Sequence, residues 1–316
     1  MDLYEILILL LFIVIFLILI AFIFALVTYK IVFYNKNEKE DVYTLQVKLD
    51  EIDTQKMISL IDEFISIKHE EVTITSFDGL KLKGRYYHID DSYPIQIQFH
   101  GYRGNSYRDM CGGNKLAREN KFNTLVIDQR AHGKSQGHTI TFGVKESKDC
   151  LSWINYVNQR FNNPDIYLVG VSMGASTILL ASQYNLASNI KAIIADCPFS
   201  STKQIIRKVV KDMKLPVNII YPFIALGAHI FGRFNVKDGD VNKAICKCKI
   251  PVLLIHGQED ELVPVSMAYQ IKENNKKLIQ LEIFENAKHG VSYFANSDRY
   301  VYVVTKFINN LKSQVE

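Results

Sequence analysis

Short apolar runs recur along most of the chain and are separated by segments long enough for a helix. This alternation predicts a mostly parallel sheet with helices packed on both faces, an α/β fold. The predicted strands are Ile95–Phe99, Thr124–Ile127, Ile166–Val169, Ile190–Ala195, Val252–Ile255 and Leu281–Phe284. The predicted helices are Met110–Glu119, Val144–Val157, Met173–Gln183, Val265–Asn274 and Arg299–Leu311.

The region before the first of these strands has a different pattern. Apolar and polar positions alternate on two arms joined by Asp78-Gly79, which predicts a β-hairpin that opens the sheet. A second departure is the long, apolar connection at about residues 199–249, which does not fit a single crossover helix. Because it follows the strand that ends at Asp196, we expect it to form a lid above the carboxyl ends of the strands.

The N-terminal stretch from Ile6 to Tyr29 contains no charged residue and exceeds the roughly 20 residues that span a bilayer. We interpret it as a membrane anchor. A cleaved signal peptide is the alternative, but such peptides have a basic leading segment, and this chain begins Met1-Asp2-Leu3-Tyr4-Glu5. Lys30, Lys36 and Lys39 follow the stretch, so the positive-inside rule predicts that the domain after it lies in the cytoplasm.

The pattern divides the chain into an anchor at residues 1–30, a segment at residues 31–70 and an α/β domain at residues 71–316. In the middle segment, Asn35–Asp41 is a polar linker. It is followed by apolar residues at helical spacing from Leu49 to Ile65. This amphipathic helix packs on the domain or lies on the bilayer surface.

Composition excludes some classes of protein. The net charge of +4 over 316 residues, without a basic cluster interleaved with aromatic residues, argues against a nucleic-acid partner. The five cysteines are scattered and odd in number, which argues against a disulfide framework. Cys246-Lys-Cys248 lacks the spacing of a zinc or redox pair, and the chain predicts neither a metal nor a cofactor.

The most informative motif is Gly170-Val171-Ser172-Met173-Gly174, between a predicted strand and a predicted helix. This context is typical of a nucleophile elbow, in which Gly170 and Gly174 permit a tight strand-to-helix reversal. Ser172 is therefore the candidate nucleophile.

A serine hydroxyl needs a base, and the base needs an orienting acid. His289 follows the last predicted strand, and Asp260 follows the strand before it, so both are expected at the same sheet edge as Ser172. Asp196 and Glu259 are alternatives to Asp260 as the acid. His100 and His132, each before a glycine and ahead of the nucleophile, are interpreted as loop-shaping residues.

An oxyanion hole requires two backbone N–H groups. One comes from Met173, directly after the nucleophile. The loop Phe99–Asn105 supplies the other, with Gly101 permitting close approach and Tyr102 as the expected donor.

From about Val72 onward, the chain resembles serine hydrolases of the α/β-hydrolase superfamily, close to membrane-anchored bacterial members whose domains are similar to acylglycerol lipases and serine aminopeptidases. The residues that carry this resemblance are His100-Gly101, Asp128–Ser135, the elbow at Ser172, His256-Gly257 with Asp260, and His289-Gly290. Ala131 stands where the family's Asp-x-Arg-Gly-His-Gly-x-Ser segment has its first glycine, so we expect a change in that loop.

These observations predict a membrane-anchored carboxylesterase or lipase that forms an acyl-enzyme on Ser172. The apolar lid and the anchor suggest a lipophilic acyl substrate. Thioesterase, amidase, peptidase and acyltransferase activities would use the same residues, whereas a dehalogenase would need a carboxylate at position 172. A non-catalytic binding or scaffold role is the alternative of a different class.

Overall fold

The computed structural model describes residues 2–36, 42–44 and 50–313. Its centre is an eight-stranded sheet with the order β1-β2-β4-β3-β5-β6-β7-β8. The pairs β1–β2 and β2–β4 are antiparallel, and the remaining pairs are parallel. The strands are β1 Glu70–Thr75, β2 Lys81–Tyr87, β3 Ile95–Phe99, β4 Asn123–Asp128, β5 Ile166–Val171, β6 Ile190–Asp196, β7 Val252–Gly257 and β8 Ile279–Phe284.

All six predicted strands and the predicted hairpin are confirmed. The hairpin turns at Gly79, whose φ of +92° lies in the region that glycine adopts without strain. The strands β3 and β4 are buried along their whole length, as expected for parallel strands covered on both faces.

Helices cover both faces of the sheet, as predicted. The helices outside the lid are α1 Leu3–Val32, α2 Glu51–Ser66, α3 Ser106–Glu119, α4 Glu146–Phe161, α5 Met173–Ala181, α9 Ser266–Asn274, α10 Ser292–Ala295 and α11 Ser297–Lys312. One face of the sheet is covered by α2, α3 and α11. The other is covered by α4, α5, α9 and the short helix α8 (Val241–Ile245). Each layer buries its own apolar cluster against the strands.

The amphipathic helix predicted after the linker is α2. Its apolar residues Met57, Leu60, Ile61 and Phe64 are buried in the cluster that also contains Met110 of α3. The helix therefore packs on the domain. Leu49 and residues 37–41 of the predicted linker, including Lys39, lie outside the described residues.

The long connection after β6 forms α6 Thr202–Asp212, α7 Val217–Ile230, a short 3₁₀ turn at Val236–Asp238, and α8 Val241–Ile245. Residues of α6 and α7 share an apolar cluster with Met173, the residue after Ser172. The connection thus covers the elbow, which is the position predicted for a lid.

The N-terminal helix α1 is 30 residues long and largely exposed, with the length and apolar composition of a single-pass membrane anchor or a signal sequence. Its last turns are different, because Ala25, Thr28 and Tyr29 are buried. Phe33, just beyond the helix, is fully buried and packs edge-on against Phe142 and Phe234. The end of α1 is therefore part of the folded domain.

Candidate active site

Ser172 occupies a strained turn between β5 and α5. Its φ of +55° and ψ of −117° are unfavourable for a residue with a side chain. The neighbouring glycines allow the turn: a Cβ on Gly170 would lie 2.5 Å from the Gly174 carbonyl carbon, and one on Gly174 would lie 2.1 Å from the Phe99 oxygen. No side chain fits at either position, so the sequence Gly-x-Ser-x-Gly is required by sterics.

The structure brings Ser172, His289 and Asp260 together in one chain of hydrogen bonds. His289 Nε2 lies 2.8 Å from Ser172 Oγ, and His289 Nδ1 lies 2.7 Å from Asp260 Oδ2. Each residue follows the carboxyl end of a different strand, which is the edge predicted from the sequence. The arrangement can remove a proton from the serine hydroxyl and hold the resulting imidazolium.

Backbone contacts hold the Asp260 loop against the His289 loop. Gly257, at the end of β7, approaches so closely that a Cβ there would lie 2.3 Å from the Ala287 carbonyl oxygen. The same oxygen accepts a hydrogen bond from Glu259 N–H at 3.0 Å. Main-chain contacts therefore fix the Asp260 and His289 loops relative to each other.

The second oxygen of the Asp260 carboxylate is also fully engaged. Oδ1 accepts hydrogen bonds from Leu262 N–H at 3.0 Å and Val263 N–H at 2.7 Å. Burial by itself would raise the pKa of Asp260, but hydrogen bonds from His256, His289 and Val263 N–H outweigh it and lower the pKa to about 2. Asp260 is consequently ionised throughout the neutral range.

The two alternative acids have other surroundings. Asp196 is buried and accepts a hydrogen bond from Ser292 Oγ at 3.2 Å, and it also bonds Tyr300. Burial raises the pKa of Asp196 to about 6. Glu259 is exposed to solvent. Of the three carboxylates, Asp260 is the one hydrogen-bonded to His289.

The loop after β3 places Tyr102 beside the elbow. A Cβ on Gly101 would lie 3.5 Å from Ser172 Cβ, so Gly101 brings the backbone close to the nucleophile. Gly101 N–H donates to Asp109 Oδ2 at 2.9 Å and Arg103 N–H to His132 Nε2 at 3.0 Å. Within the described part of the chain, Tyr102 N–H and Met173 N–H have no acceptor. These two groups are open to bind an oxyanion.

His100 and His132 shape this loop, as predicted. His100 Nε2 accepts from Gln129 N–H and its Nδ1 lies 2.8 Å from Gly101 O, while His132 Nδ1 lies 2.9 Å from Arg130 O. Both rings are therefore neutral, each with its proton on Nδ1. Burial lowers the pKa of both histidines, that of His132 to about 3.

Ala131 adopts a left-handed conformation with φ of +62° and is fully buried. This is the position where the family segment has glycine, so the loop keeps a glycine-type backbone and tolerates an alanine methyl in the core. The change expected in this loop is therefore backbone strain at Ala131.

Cys197 lies beside the triad, a placement that the sequence analysis did not foresee. Its sulfur, an Asp260 oxygen and a His289 nitrogen lie within 4.8 Å of one another. A thiol must lose its proton to bind a metal, and burial raises the pKa of Cys197 well above its usual value. Asp260 and His289 are hydrogen-bonded to each other, so Cys197 is better described as a neutral thiol beside that pair than as a metal ligand.

Two further supporting residues escaped the sequence analysis. Asp109 fixes Gly101, and His256 places Nε2 2.8 Å from Val263 O and 3.3 Å from Asp260. His256-Gly257 was among the residues that carry the family resemblance, but no role was assigned to His256. Asp109 follows the oxyanion loop within ten residues and carries no motif, so no local signal identifies it.

Comparison with known proteins decides the family. A sequence family described as "alpha/beta hydrolase fold" matches residues 97–218, and one described as "Phospholipase/Carboxylesterase" matches residues 213–311. The structure superposes on the esterase Pf2001 of Pyrococcus furiosus with a TM-score of 0.63 and 26% identity, covering 78% of this chain and 93% of that chain. The protein belongs to the α/β-hydrolase superfamily.

Curated relatives of this α/β-hydrolase span most or part of its length. An uncharacterised protein, YqkD of Bacillus subtilis, is 26% identical over 92% of this chain and 93% of its own. The lysophosphatidylserine lipase ABHD12 of Danio rerio is 25% identical over 60% of this chain and 50% of its own. The protein is thus similar to hydrolases of the esterase and lipase type.

Proposed function

We propose that the protein is a membrane-anchored serine hydrolase that cleaves acyl esters. The observation that carries the proposal is the hydrogen-bond chain Ser172–His289–Asp260 at a strained elbow, with the N–H groups of Tyr102 and Met173 open beside it. The similarity to an esterase and to a phospholipase/carboxylesterase family supports an ester as substrate.

In the proposed reaction, Ser172 Oγ attacks the acyl carbon while its proton moves to His289 Nε2. The carbonyl electron pair moves onto oxygen, where the N–H groups of Tyr102 and Met173 stabilise the charge. The intermediate then expels the alkoxide, which takes the proton from His289. A water molecule, deprotonated by His289, then attacks the acyl carbon. The second intermediate breaks the bond to Ser172 Oγ, which takes the proton back from His289, and the carboxylic acid is released. Asp260 orients the imidazole and stabilises its charged form.

A lipophilic acyl chain is supported by the pocket beside Ser172. Its lining includes a set of apolar side chains from α2, α3 and the segment after His289, namely Met57, Met110, Val291 and Phe294. Such a surface favours an alkyl chain over a polar group.

We also propose that α1 remains attached as an anchor. A cleaved signal peptide leaves a mature domain that folds without it, whereas removal of α1 here would expose the lid residues that pack on it. Phe22 and Phe24 of α1 pack against Phe231 and Phe223 of the lid, with ring centroids 5.1 and 5.4 Å apart. Tyr29 and Phe33 belong to the same buried cluster as the lid.

The activity is tested on the full-length protein in detergent, because the end of α1 is part of the core. Wild type and Ser172→Ala are treated with a fluorophosphonate probe and assayed on p-nitrophenyl esters of increasing chain length. Labelling and turnover that disappear in Ser172→Ala support the proposal, and the chain-length optimum separates esterase from lipase. A wild-type protein that neither labels nor turns over any ester would instead favour the scaffold role.

The cytoplasmic orientation is tested with a single thiol. Among the five cysteines, Cys246 is the exposed one. A membrane-impermeant maleimide added to intact cells should label the protein only after permeabilisation, and Cys246→Ser should remain unlabelled in both conditions. Labelling in intact cells would show that the domain lies outside the cytoplasm.

A further inference from the structure

The end of the membrane helix is hydrogen-bonded to the loop that presents the oxyanion donor. Tyr102 Oη donates to the Val32 carbonyl at 2.8 Å. Arg103 Nη2 donates to the Ile31 carbonyl at 2.8 Å and to the Tyr34 carbonyl at 3.1 Å. The last carbonyls of a helix have no partner within it, and they carry partial negative charge. The two side chains therefore cap the C-terminus of α1.

The residues that follow α1 are bonded into the core of the domain. Phe33 is fully buried, and its carbonyl accepts from Ile140 N–H at 2.8 Å. Asn35 N–H donates to the His138 carbonyl at 2.9 Å, and the Asn35 side chain donates to the Ala131 carbonyl at 2.7 Å. The carbonyl groups that accept hydrogen bonds from Tyr102 and Arg103 are thus held in fixed positions by the core.

The loop itself depends on such external bonds. Arg103 has a φ of +46°, which is unfavourable for a residue with a side chain. A conformation of this kind persists only where the surroundings determine it. The Tyr102 ring also packs on Phe142, with centroids 4.8 Å apart, and Phe142 in turn contacts Phe33. Side chains of two consecutive loop residues therefore link the Tyr102 N–H to the end of α1.

We propose that the terminal turn of α1 positions the oxyanion donor, with Tyr102 Oη and the Arg103 guanidinium as the positioning groups. The membrane helix then acts in catalysis as well as in attachment. This inference rests on the proposed function, because the Tyr102 N–H must bind the oxyanion for its position to affect the rate.

Three variants of the full-length protein in detergent test the inference: Tyr102→Phe, Arg103→Gln and the double variant. Each retains every backbone N–H and removes side-chain hydrogen bonds to the end of α1 and the residues just after it, those of Tyr102 to Val32 and of Arg103 to Ile31 and Tyr34. Loss of an oxyanion donor costs about 10²–10³ in kcat. We expect a fall of about tenfold or less for each single variant and about 10²-fold for the double variant, with KM nearly unchanged.

A transition-state analogue gives the second measurement. An alkyl boronic acid forms a tetrahedral adduct on Ser172 and places an oxygen in the oxyanion hole. Its affinity should fall by the same factor as kcat/KM in each variant, because both depend on the donor's position. A role confined to folding would lower the thermal midpoint and the fraction of active protein. The affinity for the boronic acid would then not fall in step with kcat/KM.

Tyr29→Phe is the matched control. Tyr29 Oη lies 2.7 Å from Thr139 Oγ1, at the same junction but away from the oxyanion loop. This variant should keep the wild-type kcat. Retention of kcat within about twofold in the double variant, or an equal loss in Tyr29→Phe, would overturn the inference. Failure of the proposed function is a distinct result, since the wild type would then be inactive and unlabelled.

Discussion

Gly227 of the lid lies directly against the main chain of Ala25 in α1, and a Cβ on Gly227 would lie 2.4 Å from the Ala25 carbonyl oxygen. Two apolar helices thus meet at a glycine, a contact that brings the backbones together as small residues do between membrane helices. The lid and the proposed anchor form one packed unit.

Substitution of Gly227 tests this packing. Gly227→Leu should force α7 away from α1 and lower the free energy of unfolding by about 1–3 kcal/mol, the usual cost of overpacking. Thermal unfolding of the full-length protein in detergent measures the change. Ile219→Ala is the control, because Ile219 lies on the same helix and is 61% exposed. Equal midpoints for Gly227→Leu and wild type would contradict the close contact.

The elbow glycine Gly174 should tolerate no side chain. Gly174→Ala would place a methyl group 2.1 Å from the Phe99 oxygen, so we expect the turn to be disrupted and esterase activity to be lost. Gly113→Ala is the matched control in α3. The nearest atom to its Cβ would be Met110 Cε at 3.7 Å, and alanine gains up to about 1 kcal/mol in helix propensity. Gly113→Ala should keep or raise the thermal midpoint.

Asp260→Asn should lower the rate of ester hydrolysis. In serine proteases with this arrangement, the same change lowers kcat about 10⁴-fold. The pKa of Asp260 is about 2, so its carboxylate is charged at neutral pH and the substitution removes a full negative charge beside the His289 imidazole. Steady-state hydrolysis of a p-nitrophenyl ester measures the loss, and thermal unfolding shows whether the variant is folded. A folded Asp260→Asn variant with kcat within about tenfold of wild type would contradict the assignment.

Asp196→Asn separates the two candidate acids. Asp196 bonds Ser292 and Tyr300, so we expect kcat within about tenfold of wild type. Its folded pKa of about 6 exceeds its usual value of 3.8, so the folded state binds more protons than the unfolded state between these values. The contribution of Asp196 to stability thus falls as pH rises from about 4 to 6. Urea titrations across this range should show a smaller decline for Asp196→Asn.

A buried ion pair stabilises the loop behind the active site. Arg130 donates to Asp149 at 2.6 Å and to Asp78 at 2.9 Å, and both Arg130 and Asp149 are buried. Arg130→Met leaves Asp149 without its partner, which should cost about 3–5 kcal/mol in urea unfolding. Lys134→Met breaks an exposed pair with Glu71 and should cost less than about 1 kcal/mol. Similar losses of unfolding free energy in the two variants would show that burial does not strengthen the contribution of the Arg130 ion pair.

The sequence was informative where structure is local. Strand and helix patterns predicted the sheet, and the elbow, Asp260 and His289 were found because each follows a strand that runs to one edge. The same reasoning missed Asp109, which no motif marks, and the capping of α1 by Arg103, which joins residues 72 positions apart in the sequence. Asn35 was expected to begin a polar linker, yet its side chain donates to the Ala131 carbonyl, and Phe33 just before it is buried in the core. Only the packed fold reveals such contacts.

The buried position of Phe33 also sets the reach of the enzyme. A domain on a flexible linker of n residues ranges over about 5–6 Å × √n, whereas this domain is fixed to the end of its helix. The 30 residues of α1 rise about 45 Å, and a bilayer interior is about 30 Å thick. In a membrane, Ser172 would therefore stand at one constant height above the lipid surface. Under the proposed function, an ester would be cleaved only if its carbonyl group can reach that height.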